Sequence, residues 1–235
     1  MAPHSGPDSG SDSGRQSARH AGYPGAQEFV PESANLEALR AAARGCQGCH
    51  LYENATQTVF SVGSATARVV LVGEQPGDQE DRRGEPFVGP AGNLLDRALV
   101  DAGIDRSQAY VTNAVKHFKF SQAGEGKRRI HQTPDAGEVT ACRPWLVAEL
   151  AILDPEVIVA LGATAGKSLM GNDFRVTRSR GVLLEWPARK DEPAARASRF
   201  LVATIHPSAV LRADDREGAY AGLVDDLKVA AQVLA

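Results

Sequence analysis

Two short stretches of the sequence hold residue types able to do chemistry. The first is GKRRIHQTP (126–134), where Lys127, Arg128 and Arg129 stand just before His131. A neutral imidazole is a nucleophile and a base, and nearby cations disfavour a further positive charge on it. The same cations attract phosphate. A solvated basic loop would also read this way, and the stretch alone leaves both readings open. The second is CQGCH, with Cys46, Cys49 and His50, joined by a distant Cys142. Cys-x-x-Cys-His fits haem attachment, which needs export. The three thiols plus a histidine also fit a Cys3His zinc site or an iron–sulfur cluster. Spacing neither separates zinc from a cluster nor chooses the fourth ligand among His50, His117 and the other histidines. Cys142 could equally be a small buried apolar residue.

Composition narrows these options. The chain has 235 residues, enough for one α/β domain with a tail, and 43% are hydrophobic. The formal charge of -3 gives no overall attraction to nucleic acid, so any such binding must come from local basic patches. Residues 1–26 are rich in Gly, Ser, Asp and Pro and lack the apolar run of a signal peptide, so they read as a disordered tail before a domain at 27–235. No stretch is long and apolar enough for a membrane span. Three cysteines and no export signal argue against disulfides and for a cytoplasmic location.

Short apolar runs alternate with helical patterns from residue 68 onward. RVVLV (68–72), AYVTNAV (109–115), EVIVALG (156–162) and RFLVATI (199–205) read as strands, the first continuous enough to be buried on both faces. VLLEW (182–186) reads as a further short strand. Residues 89–103, 138–153, 163–171 and 216–234 read as helices, with Pro144 a break or first-turn residue. This alternation predicts a central parallel sheet of about four strands flanked by helices on both faces. Each long strand runs into a polar turn: GEQPGDQED, the stretch from Asn113 into KHFKF, ATAGK, and HPS. All four turns therefore lie on the carboxyl edge of one sheet, where open α/β folds bind ligands.

GEQPGDQEDRRGEPFVGPAGNLLDRAL, VTNAVKH, PEVIVALGATA and HPSAVLR together resemble the iron–sulfur, family 4-like branch of the uracil-DNA glycosylase superfamily, over roughly residues 40–234. The insertion KRRIH and the Gln in GEQPG narrow the resemblance to its UdgX members, which become covalently trapped on uracil-containing DNA. The resemblance implies a [4Fe-4S] cluster held by Cys46, Cys49, His117 and Cys142, beside Lys116 and Lys119 as DNA-facing cations. It implies Phe87 as the platform for a flipped base and Asn113 as the reader of uracil's pairing edge. His206 would donate to uracil O2, and Glu74 is the carboxylate that activates water in hydrolysing relatives. HPSAVLR would supply a wedge into the vacated stack, with Arg212 near phosphate. His131 would attack the sugar in place of water, with Gln75 holding its loop and Lys127, Arg128 and Arg129 contacting phosphate. Asp78, Glu80 and Asp81 read as solvated or helix-start charges. The expected partner is uracil-containing DNA, single strands included, and the expected state a monomer. The competing readings are an ordinary turnover glycosylase and a non-catalytic, metal-bound DNA-binding module.

Overall fold

A computed structural model describes residues 22–32, 35–124, 126–186 and 199–235. In chain order its strands are β1 (Ser61–Val62), β2 (Val69–Gly73), β3 (Ala109–Asn113), β4 (Phe120–Ser121), β5 (Ile130–His131), β6 (Val157–Leu161), β7 (Leu183–Glu185) and β8 (Phe200–Thr204). The helices are α1 (Leu36–Ala43), α2 (Asp78–Arg83), α3 (Pro90–Asp101), α4 (Ala136–Leu153), α5 (Ala163–Met170), α6 (Val176–Ser179), α7 (Pro207–Arg212) and α8 (Arg216–Leu234).

The main sheet has the order β1-β3-β2-β6-β8-β7. Its four central strands are parallel, as the sequence predicts, and the two short edge strands run antiparallel. Alternate residues of each central strand enter different cores. Leu71, Val111, Val159 and Val202 pack beneath α3, α7 and α8, while Val70, Val72, Ile158 and Leu201 pack beneath α4 and α5. Burial on both faces is the reason these strands are unbroken apolar runs. Pro144 neither breaks nor starts a helix, because α4 runs through it from Ala136 to Leu153. A single missing N–H is tolerated where Trp145 and Leu146 on the next positions are buried.

A third core gathers α1, α4 and the segment after β3: Leu39, Ala43, Cys46, Cys49, Phe60, Val115, Cys142 and Trp145. The amino-terminal strap closes it. Ala26 is fully buried and its N–H donates to Ala141 O at 2.8 Å, while Gly25 N donates to Gly48 O at 2.9 Å. Gly25 and Ala26, at the end of the stretch read as a tail, are therefore packed against the domain, and residues 1–21 lie outside the described residues.

Beneath this core lies a buried polar network. Lys116 Nζ donates to Glu149 Oε2 at 2.5 Å, Thr112 Oγ1 at 2.6 Å and the Asn113 carbonyl at 3.0 Å. Tyr110 and Thr112 hydroxyls donate to the same carboxylate. Every ammonium proton has an acceptor, which is what lets a charge pair sit in the interior. Lys116 therefore faces the core, with 1% of its side chain exposed, and not DNA.

Candidate functional site

A cavity of about 510 Å³ opens at the carboxyl edge of the sheet. It is lined by Glu74 and Gln75 after β2, Asn113 at the end of β3, Gly162 and Ala163 after β6, and His206 after β8. Phe87 and Arg212 complete the wall, and His131 reaches it from outside the main sheet. The four strand exits thus meet as the alternation pattern predicts.

Phe87 sits at φ 57°, a left-handed conformation that is strained for a residue with a Cβ. Neighbouring glycines make the posture possible. A Cβ on Gly92 would overlap the Phe87 carbonyl, and one on Gly73 would stand 2.8 Å from the Phe87 ring and collide with the Asn113 carboxamide. The carboxylate of Glu80 straps the two loops, accepting from Gly77 N at 3.1 Å and Gly89 N at 2.9 Å. The Phe87 ring lies 5.8 Å from that of His206, with 29° between the ring planes. Asn113 is 1% exposed, and its Oδ1 has no hydrogen-bond partner in the protein. A buried acceptor left unpaired at a cavity wall calls for a donor on the ligand.

His206 caps α7. Its Nδ1 accepts from Ser208 N at 3.2 Å and sits 2.8 Å from Ser208 Oγ. The neutral ring must then carry its proton on Nε2, available as a donor. Burial, with the charges of Arg212 and His131 added, lowers its pKa from 6.5 to about 4, so neutrality is the resting state. The rest of HPSAVLR is helix, with Val210 buried and Leu211 packed on the core. It offers no free apolar wedge in this conformation.

His131 lies on the small β4–β5 hairpin, paired with Phe120. Its Nε2 is 3.5 Å from Glu74 Oε1. Gln75 clamps the hairpin through all its polar atoms: Nε2 donates to Lys119 O and Gln132 O at 3.1 and 2.9 Å, and Oε1 accepts from Lys119 N at 2.9 Å. Arg129 is a second clamp. Its side chain is 9% exposed, bonded to Asp78 at 2.5 Å and Asp81 at 2.6 Å, and stacked over Phe118 and Phe120. Arg129 is therefore a strut of the hairpin and not a free phosphate ligand. Asp81 is no solvated charge either; fully buried, it also accepts from Thr56 N. Lys119 is paired with Glu138 at 2.8 Å. Lys127, Arg128 and Arg212 are exposed.

Cys46, Cys49 and Cys142 are buried together with free thiols. Trp145 Nε1 donates to Cys46 Sγ and Lys116 N to Cys142 Sγ, each at 3.3 Å. Burial foremost, with the neighbouring cysteines adding, pushes Cys49 up to about 11 and Cys142 to about 12. Cys49 and Cys142 therefore become thiolates only when a cation takes their charge, and with Cys46 beside them in the same core the donor chemistry fits a metal group. Among the described residues no three such groups converge closely enough for one metal ion. His117 Nε2 lies 3.0 Å from Thr58 Oγ1, whose proton goes to Ala43 O. Nε2 is then the protonated nitrogen and Nδ1 the bare one, the form a ligand needs. His50 instead faces Glu138, at 3.4 Å, and packs on Tyr23.

The depressed pKa of His206 has a measurable consequence. Above pH 6.5 both folded and unfolded forms are neutral at this position; between 6.5 and about 4 the unfolded chain takes up a proton that the folded one refuses. The stability it contributes is complete above pH 6.5 and lost as pH falls toward 4. His206→Asn, which keeps a capping acceptor, should lose less stability than the parent over that window, by about 2–3 kcal/mol in urea unfolding. Parallel losses in the two proteins would contradict the half-buried, neutral imidazole.

The profile of the uracil DNA glycosylase superfamily matches residues 60–228. A Thermotoga maritima protein named type-4 uracil-DNA glycosylase is 36% identical over 178 residues, 75% of this chain and 83% of its own. Proteins of the same name from Sulfurisphaera tokodaii and Archaeoglobus fulgidus are 33% and 34% identical, over 75% of this chain and 76% and 83% of theirs. The extent of these matches makes the chain a member of the uracil-DNA glycosylase superfamily, akin to its type-4 enzymes.

Proposed function

We propose that this protein excises uracil from DNA and then remains bonded to the abasic sugar through His131. The observation that carries the proposal is the entry of His131 into the same cavity as Glu74, Asn113, Phe87 and His206. A nucleotide flipped from the stack brings its base onto Phe87. The unpaired Oδ1 of Asn113 accepts uracil N3–H while the amide NH2 donates to O4. Cytosine, with a bare N3 and an amino group, reverses that pattern and leaves the buried amide unpaired.

As the C1′–N1 bond breaks, its electron pair leaves with uracil and spreads to O2. The Nε2–H of His206 donates to that charge. The cation at C1′ is met by a lone pair of His131, which forms the new carbon–nitrogen bond. The ring becomes positive, and the Glu74 carboxylate beside it stabilises that charge. The alkylated imidazolium has no leaving path comparable to that of uracil, so the adduct persists. Gln75 and Arg129 hold the hairpin for this attack, while Lys127, Arg128 and Arg212 meet the phosphates.

Cys46, Cys49, His117 and Cys142 are the residues that would hold a [4Fe-4S] cluster. When bound, the cluster supplies a structural cross-link among α1, α4 and the segment after β3. Purified protein should contain about four iron and four sulfide per chain. One zinc per chain and no sulfide would overturn the assignment.

His131→Ser removes the nucleophile and leaves stacking, edge reading and the His206 donor in place. Incubated with uracil-containing oligonucleotide, the parent should give one heat-stable adduct per active chain on a denaturing gel. The variant should release uracil and give none, with Glu74 activating the water that enters. A parent that turns over without adduct would make the protein an ordinary glycosylase; a parent that binds without releasing uracil would make it a binding module. Gly73→Ala should abolish uracil release while the protein stays folded, because the added methyl occupies the space of Asn113 Oδ1 and the Phe87 ring. Retained release would show that the base lies elsewhere.

A further inference from the structure

The turn after β6, GATAG (162–166), is the one strand exit on the rim to which the excision reading assigns no task. Its geometry is specific. Gly162 has φ +91°, and a Cβ added there would meet His206 Cβ at 3.1 Å. The Gly162 N–H donates to Thr204 O at 2.9 Å. Only a residue without a side chain lets α5 start this close to His206. Thr164, the second residue of α5, thereby comes alongside Glu74, which leaves the adjacent strand β2. Its hydroxyl donates to Glu74 Oε2. The other oxygen, Oε1, is the one facing His131 Nε2 at 3.5 Å.

The two oxygens of Glu74 are thus divided between partners. Its backbone is held as well, since Val115 N donates to the Glu74 carbonyl at 3.0 Å. A carboxylate with 22% of its side chain exposed would otherwise turn about its last torsion and share its charge between the cavity and water. A hydroxyl fixed on one oxygen leaves the second with one direction to face, and the amino-terminal turn of α5 favours negative charge there.

We propose that Thr164 is a positioning residue for Glu74, locking the carboxylate so that Oε1 faces the reacting sugar and His131. The inference rests on the reading of Glu74 as the group that acts on that chemistry. It extends the machinery to the third turn of the rim and gives the GATAG segment its task.

The test compares Thr164→Val, which keeps the branched shape and loses the hydroxyl, with Thr164→Ser, which keeps the hydroxyl. Single-turnover uracil release is measured on full-length protein with uracil-containing oligonucleotide. Thr164→Val should slow release at saturating protein by about tenfold, as expected for a lost hydrogen bond to a charged group. Its half-saturation for DNA should stay within about twofold, because base and phosphate contacts are untouched. Thr164→Ser should restore the rate to within about threefold of the parent. In Glu74→Gln, adding Thr164→Val should cause little further slowing. A parental rate in Thr164→Val overturns the inference, as does equal slowing by both substitutions or full additivity with Glu74→Gln. A parental rate in Glu74→Gln itself would show that the reading of Glu74 had failed.

Discussion

The Lys116–Glu149 pair is the interaction on which the rest of the arrangement depends. It joins the segment after β3 to α4 with both side chains buried, so each partner's charge must be satisfied by hydrogen bonds within the protein. One residue then reaches three places. The Lys116 ammonium holds the Asn113 carbonyl, its backbone N–H holds Cys142 Sγ, and its neighbour His117 belongs to the proposed cluster set. The proposed base-reading amide of Asn113 and the thiol pocket are therefore fixed to one rigid turn. Removing either charge alone would leave the other buried and unpaired, at a cost of about 3–5 kcal/mol.

Around that anchor the rim combines stiffness with local strain. Phe87 is held left-handed, Gly73 and Gly92 leave room for it, and Glu80 ties the two loops that flank it. An unpaired Asn113 oxygen is costly in the free protein, whereas His206 rests neutral at no such cost. That cost is recovered when a ligand supplies a donor to Asn113 Oδ1. The β4–β5 hairpin adds a further layer. It has two residues per strand and could not hold its shape alone, so Gln75 and Arg129 supply the constraint that pairing does not.

Much of this was legible in the residues, and the exceptions have physical reasons. The four central strands are buried on both faces, so their apolar runs and polar exits stood out, and the rim followed from them. The hairpin did not show, because Phe120–Ser121 and Ile130–His131 are too short for a period to register. Arg129 looks like Lys127 and Arg128 in sequence; only the buried Asp81 and the rings of Phe118 and Phe120 distinguish it. The fate of Lys116 was hidden for a similar reason, since its partner Glu149 lies 33 residues away. A lone acid within the apolar run WLVAELAIL was the available signal for it. Thr164 was invisible as a site residue because a threonine at a helix start is ordinary capping chemistry.

In the proposed reaction an imidazole carried on a hairpin takes the place of water at C1′. Peptide mapping by mass spectrometry of the parent protein after reaction with a uracil-containing oligonucleotide tests it most directly. The expected result is that the mass of a DNA-derived deoxyribose fragment, lacking uracil, is carried by the peptide containing His131 and localises to that side chain. The same mass on any other residue, or free uracil with every peptide unmodified, would contradict it.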